Sequence, residues 1–271
     1  EIMDWGGKPC SVFEKAAFIG LLKSKKFDIA VILNPSKEFN LYTAAAGIPH
    51  RIGYARKWPF LLTRTIPDEK HLAKRHEVEC NLQLVALIGA QTRDITTLSL
   101  SVPEITRASL SGEYGIQEKS RIIAVHPFTS DPVKQWPLER FVKLAEALVQ
   151  DLPVTVAVIG GKEEAARSRE CFGPVTGKRI INLTGKTGIR GLAGFLKHCD
   201  LLVSGDSGPV HLACCVKTPV IALFRNDLPG KTSQRWGPWG EGNAVIEKNS
   251  LGKITVNEVI QKVKEVWFYK T

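Results

Sequence analysis

No stretch of the sequence approaches the ~18 consecutive apolar residues that a membrane-spanning helix requires, and no secretory signal peptide opens it. It has no internal repeat and no low-complexity tract. Six cysteines, Cys10, Cys80, Cys171, Cys199, Cys214 and Cys215, are scattered without a single Cys-x-x-Cys pair. That spacing argues against a zinc site and against a secreted disulfide framework, and favours a reducing compartment. No Gly-x-Gly-x-x-Gly fingerprint follows a strand, so nicotinamide dinucleotides have little support. The expectation is a soluble protein.

What is present is ordinary for a globular chain: 271 residues, 44% hydrophobic and 24% charged. That length accommodates one large or two ordinary domains and needs no covalent or metal staple. The net charge of +10 is uneven. Residues 1–118 carry 15 basic and 13 acidic side chains, a net of +2, and residues 119–271 carry 22 and 14, a net of +8. A basic excess suits phosphorylated small molecules, anionic lipid or nucleic acid, and charge alone does not choose among them.

Ser11-Val-Phe-Glu14 has the pattern of a capping box and predicts a helix ending near Leu22. Phe27 to Leu33, stopped by Asn34-Pro35, reads as a buried strand, and helices are expected over 38–46 and 78–88. Segment 91–118 is polar, with Pro103 and Gly112, and reads as a connection between two halves. Beyond it the rhythm is regular. Strands are predicted over 122–126, 154–159, 180–183, 201–204 and 220–224, alternating with helices over 138–149, 163–171, 191–198 and 209–216. A final helix over 256–268 aligns Val256, Val259, Ile260, Val263 and Val266 in one stripe. Such alternation predicts a parallel sheet covered on both faces. Ligands bind these sheets at the carboxyl ends of the strands, near a switch in strand order. The informative loops are therefore those leaving Val125, Ile159, Leu183, Val203 and Phe224.

The first, His126 to Pro137, offers the hydroxyls of Thr129 and Ser130 and the compact cation of Lys134 before a helix start. It can hold a diphosphate, or it can be a polar surface loop with an exposed lysine; spacing alone serves both. The second, Ser204 to His211, turns from strand to helix through Gly205 and Gly208, which permit close backbone approach. Ser207 and the first helical amides suit phosphate oxygens, Asp206 could instead cap the helix, and His211 could face ligand or core. The third, Ile159 to Glu164, places Gly160-Gly161 before two acids. These could hold ribose hydroxyls; without context they read as complements to the helix dipole. A fourth feature is the basic stretch Arg51, Arg56, Lys57, Arg64, Lys70, Lys74 and Arg75, with Trp58 and Phe60 between. It could receive an anionic acceptor at a membrane surface or be a solvated face.

Together these residues resemble glycosyltransferase family 9, the lipopolysaccharide heptosyltransferases. Three stretches carry the likeness. One runs from Ala124-Val-His-Pro127 through Lys134-Gln-Trp-Pro137 to Glu139, Phe141 and Leu144. Another is Asp206-Ser-Gly-Pro-Val-His-Leu-Ala213 continuing to Thr218-Pro-Val-Ile-Ala-Leu-Phe224. The third comprises Phe27-Asp28, Ala46 to Tyr54 and Leu61-Leu-Thr63.

The resemblance implies an α/β fold of GT-B type, two Rossmann-like domains with parallel sheets, the N-terminal one incomplete in this chain. The implied division is a partial acceptor-binding domain with its connection over 1–118, a nucleotide-sugar-binding domain over 119–255, and a helix over 256–271 packing back on the first domain. It also implies that Thr129, Ser130 and Lys134 contact the donor diphosphate, a stabilisation that needs no metal. Asp206, Ser207, Gly208 and His211 would line the donor sugar and phosphates, Glu164, or failing it Glu163, would hold the ribose, and Arg51, Arg56 and Lys57 would meet the acceptor. In the family an Asp on a leading strand and glycine-rich loop acts as base. No such segment precedes Ser11, so no catalytic base is expected within these residues and the natural protein is expected to start upstream. The implied function is inverting transfer of a heptose, or a related sugar, from an ADP-sugar to an anionic lipopolysaccharide inner-core acceptor. No cofactor is expected, the setting is cytoplasmic, and contact with the inner membrane is peripheral. The alternative is a non-catalytic nucleotide-sugar-binding protein or an inactive truncated homologue. A nucleic-acid binder ranks last, because no reader motif accompanies the charge.

Overall fold

A computed structural model of the chain describes residues 11–91, 98–102 and 105–268, so Glu1, Cys10 and Pro103 lie outside the described residues. Backbone packing divides the chain into two compact units, Glu1–Arg93 and Asp94–Thr271. Among the described residues no helix is long and apolar enough to cross a membrane.

The first unit opens as its capping box requires. The Glu14 amide donates to Ser11 Oγ at 3.2 Å, and the Ser11 amide donates to the Glu14 carboxylate at 2.7 Å, launching α1 (Val12–Ser24). β1 (Ile29–Ile32), α2 (Lys37–Ala45), β2 (His50–Tyr54), β3 (Arg64–Ile66) and α3 (Glu77–Ala86) follow. The three strands form a parallel sheet in the order β1-β2-β3. β2 does not announce itself by an apolar run, because His50, Arg51 and Gly53 interrupt it. It becomes the central strand because pairing on both sides satisfies its backbone and buries Ile52 and Tyr54. Two small cores result, one of Leu22, Tyr42, Ala46 and Ile48, the other of Ile52, Tyr54, Cys80 and Leu84.

The second unit comprises α4 (Arg107–Tyr114), β4 (Arg121–His126), α5 (Leu138–Asp151), β5 (Val154–Val158), α6 (Ala165–Phe172), β6 (Ile180–Asn182), α7 (Ile189–Leu196), β7 (Leu201–Gly205), α8 (Gly208–Cys215), β8 (Val220–Arg225), α9 (Ser233–Trp236), β9 (Ala244–Lys248) and α10 (Val256–Phe268). Its six strands are all parallel in the order β6-β5-β4-β7-β8-β9. The strands β4, β5, β7 and β8 are nearly continuous apolar runs because both faces are covered. The pleat sends Ile123, Val125, Val156, Val158, Leu201, Val203, Ile221 and Leu223 to a core closed by α5 and α10. It sends Ile122, Ala124, Ala157, Leu202, Val220 and Ala222 to the opposite core, closed by α4, α7 and α8.

Three segments of the second unit differ from the sequence expectation. The connecting stretch supplies Leu110 and Ile116 to the second unit's core, with Leu98 and Ile105 packed against it, which moves the division from residue 118 to Arg93. The stripe of α10 buries Val259, Ile260, Val263 and Trp267 in the second unit's own core. β9, an edge strand with Glu247 and Lys248 at its end, was not anticipated. Edge strands need no apolar run, since only one side pairs.

Candidate functional site

The strand order of the second unit fixes where a ligand can enter. From β4 the chain moves outward to β5 and β6, then returns to the other side of β4 as β7. The carboxyl ends of β4 and β7 therefore part at the switch point, the crevice position of open α/β sheets. Loop 127–137 leaves β4 there and the turn 206–207 leaves β7 there. They meet closely: a Cβ at Gly205 would lie 3.3 Å from the Lys134 carbonyl oxygen.

A cavity of about 630 Å³ occupies this end of the sheet. Its lining includes Thr129, Ser130, Glu164, Asp206, Ser207, Gly208 and His211, seven of the residues expected from sequence, together with Glu163. Lys134 joins them through Asp206, its Nζ lying 2.5 Å from Asp206 Oδ2 with both side chains largely buried. Asp206 was a candidate helix cap. The residue at the cap of α8 is instead Ser207, no side chain caps the helix, and the Asp206 carboxylate holds Lys134.

The start of α7 is likewise without a side-chain cap, at Gly188. Gly188 and Ile189 border the same cavity as Ser207 and Gly208. Two eight-residue helices thus present their uncapped, partially positive ends to one space, an arrangement receptive to an anion. Thr129 Oγ1 accepts the Asp131 amide at 3.2 Å, which folds the loop back on itself and leaves Ser130 exposed at the rim. The end of β8 and the loop after it brace this fold. Arg225 donates to the Val133 carbonyl at 3.1 Å, and Lys231 pairs with Asp131 at 2.9 Å. Beneath it, buried Trp136 stacks edge-on against Phe141 at 4.7 Å and donates to the Ile254 carbonyl at 3.0 Å.

The glycines after β5 serve packing as well as access. A Cβ at Gly160 would come within 2.8 Å of the Phe128 ring and 2.9 Å of Thr184 Cγ2. One at Gly161 would meet the Glu164 carboxylate at 2.8 Å. That carboxylate accepts the Gly161 amide, so Glu164 is held against the cavity wall.

The sequence reading passed over His126 as a site residue. It is buried at the floor of the cavity, where its Nδ1 shares hydrogen bonds with Ser207 Oγ at 3.1 Å and Ser204 Oγ at 3.3 Å. Burial lowers its pKa to about 4, so the imidazole is neutral at physiological pH. It orients Ser207 without adding charge. Its place as the last residue of β4, before the loop with Lys134, was the available signal. Leu192, Leu212, Ile189 and Cys215 form the apolar wall, which only the tertiary structure assembles.

In the first unit the basic stretch is divided. Arg51 turns inward and donates to the carbonyls of Leu61 at 2.7 Å and Ile48 at 2.5 Å. Arg56 is exposed and paired with Asp68 at 3.0 Å, and Lys57 is exposed. A separate cavity of about 710 Å³ at the ends of β2 and β3 is lined by Tyr54, Ile66, Lys70, Lys74 and Arg75 among others. There Lys70 is buried, ion-paired with Glu77, hydrogen-bonded to the Leu33 carbonyl at 2.9 Å, and set over the Tyr54 ring at 4.4 Å. Among the described residues no cluster of three His, Cys, Asp or Glu side chains could hold a metal ion.

Parallel sheets in both units, with an anion-receptive crevice at the switch point of the second, define a protein of the GT-B type. The comparisons with known proteins agree. The structure superposes on E. coli ADP-heptose lipopolysaccharide heptosyltransferase II with a TM-score of 0.81 at 21% identity, covering 97% of this chain and 83% of that one. It superposes on E. coli heptosyltransferase WaaC with ADP at a TM-score of 0.70 and 19% identity, covering 94% and 77%. In sequence it is 31% identical over 169 residues to lipopolysaccharide heptosyltransferase 3 of E. coli K12, covering 61% of this chain and 47% of that relative. It is 23% identical over 249 residues to lipooligosaccharide heptosyltransferase 2 of Haemophilus influenzae, covering 87% and 70%. The chain spans about half to two thirds of the length of the first curated relatives, 47% and 65%. The family model for glycosyltransferase family 9 (heptosyltransferase) matches residues 16–263. The chain belongs to glycosyltransferase family 9.

Proposed function

We propose that this chain holds the donor site of an inverting, metal-independent transferase that moves a heptose, or a related sugar, from an ADP-sugar to an anionic lipopolysaccharide inner-core acceptor. One observation carries the reading: the Lys134–Asp206 pair and the uncapped starts of α7 and α8 converge at the switch point of one sheet. The solved WaaC complexes with ADP and with ADP-2-deoxy-2-fluoro heptose support a donor of this class. In the reaction an acceptor hydroxyl attacks the anomeric carbon, the bond from that carbon to the diphosphate oxygen breaks, and the nucleoside diphosphate leaves with the bonding pair. Lys134, the hydroxyls of Thr129, Ser130 and Ser207, and the helix starts stabilise the charge that grows on the leaving group. Asp206 positions Lys134, Gly208 and His211 border the sugar and phosphates, and Glu164 accepts from the ribose hydroxyls.

Residues 94–271 serve as the donor half and residues 1–93 as part of the acceptor half. Lys74 and Arg75 receive an anionic group of the acceptor in the first unit's cavity, while exposed Arg56 and Lys57 attract it from a distance. Arg51 serves the fold. The protein works on the cytoplasmic side of the membrane, in peripheral contact with it.

Titration calorimetry with ADP tests the donor site. Removal of a charge-assisted hydrogen bond weakens binding by about 1.5–3 kcal/mol, so Lys134→Ala is expected to weaken ADP about ten- to a hundredfold. Asp206→Ala, which frees the ammonium, is expected to weaken it as well. Absence of ADP binding by the wild-type chain, or unchanged affinity in both variants, would overturn the assignment. A transfer assay with ADP-heptose and an inner-core acceptor separates an enzyme from a nucleotide-sugar binder.

A further inference from the structure

The segment between β2 and β3 carries two aromatic rings, Trp58 and Phe60, that line neither the donor cavity nor the first unit's cavity. Lys57 and Trp58 both adopt left-handed backbone, φ 54° and 64°, although neither is glycine. Two consecutive residues in that region are costly for L side chains, and such strain persists only where surrounding structure enforces it. The enforcement is visible. Asn40 on α2, 1% exposed, donates from Nδ2 to the Lys57 carbonyl at 2.9 Å.

The outcome of this clamp is an outward-facing tip. Trp58 is 43% exposed and Phe60 78% exposed, with ring centroids 6.4 Å apart. Lys37 sets its ammonium 5.6 Å from the Trp58 ring centre, and Arg56 and Lys57 are exposed beside it. Two exposed aromatic rings, with Lys37 against one of them and Lys57 and the Asp68-paired Arg56 on the same segment, have the composition of a membrane-interface anchor. Tryptophan favours the headgroup level, and lysine and arginine are drawn to an anionic leaflet.

We propose that the Arg56–Phe60 tip docks this protein onto an anionic bilayer surface, with Trp58 and Phe60 entering the headgroup layer and Lys37, Arg56 and Lys57 meeting the lipid phosphates. A soluble saccharide is the less suited occupant, because Phe60 stands almost wholly clear of the fold. The inference rests on the proposed peripheral contact with the membrane, for which it names the surface, and is independent of the donor assignment.

Co-sedimentation tests it with vesicles of phosphatidylcholine alone and of phosphatidylcholine mixed with phosphatidylglycerol. The wild-type chain is expected to bind the anionic vesicles, and raised salt is expected to weaken that binding by screening. Trp58→Ala/Phe60→Ala is expected to lose about tenfold or more of it. Circular dichroism of the double variant confirms that it is folded, and single Phe60→Ser, at a mostly exposed position with negative φ, is expected to show a smaller loss in the same direction. Failure of the wild-type chain to bind anionic vesicles at low salt would overturn the proposal. So would undiminished binding by the double variant, which would assign the contact to another surface, such as the exposed Val12 and Phe13 at the start of α1. An ADP titration run alongside reads the donor site separately, so either assignment can fail alone.

Discussion

His126 should make this protein lose stability between neutral and mildly acidic pH, and the size of the loss follows from its burial. Its pKa is about 4 in the folded chain against an ordinary value of 6.5. The unfolded chain therefore binds a proton through this window while the native state does not, and folding stability falls as pH drops from the unfolded value toward the folded one. From pH 7 to pH 5 the expected loss is about 2 kcal/mol, and it approaches ~3 kcal/mol below pH 4, where both states are protonated and the difference saturates. The lowered carboxylates Glu38, Asp131, Asp227 and Glu258 begin from values of 4.5 or below and shift further down, so their effects lie under this window. Urea unfolding at pH 7 and pH 5, on wild type and His126→Asn, isolates the contribution. The variant keeps a hydrogen-bonding atom near Ser207 and is less stable at pH 7, but its loss between the two pH values should be smaller by about 2 kcal/mol. Equal losses in the two proteins would refute the claim that a neutral, desolvated imidazole lies beneath the cavity.

Trp136→Ala removes a fully buried ring and its bond to the Ile254 carbonyl, and should cost about 3–5 kcal/mol by urea unfolding. ADP affinity should fall too, because the loop carrying Lys134 loses its anchor. Gly160→Ala forces Phe128 and Thr184 to shift at the cavity wall, and should cost about 1–3 kcal/mol with a measurable weakening of ADP in calorimetry. In the first unit, Lys70→Met removes the ammonium shared by Glu77 and the Leu33 carbonyl and should cost about 3–5 kcal/mol. Lys70→Met/Glu77→Gln should recover part of that loss in the same unfolding assay, and strict additivity would count against a coupled pair.

Much of the second unit was legible because its strands are buried on both faces. Val154–Val158 and Leu201–Gly205 are apolar runs that hardly any other environment would tolerate, and the helices between them carry clear amphipathic or glycine-bounded patterns. The loops with Lys134, Glu164 and Asp206 were legible for a related reason. A parallel sheet presents every such loop at one end, so the order of elements alone nominates them. What the sequence did not determine is which partners those side chains choose. Asp206 could cap α8 or hold Lys134, and the choice depends on how near β4 and β7 bring residues 134 and 206, a separation set by strand order. Arg51 reads like its basic neighbours, yet carbonyls from Ile48 and Leu61 converge on it only after β2 has paired. His126 gives no sign of its neutrality until the packed second unit buries it. Periodicity and composition act along the chain and fix the elements. Desolvation and ion pairing act across it, between residues that only the packed sheet makes neighbours, and so they belong to the tertiary structure.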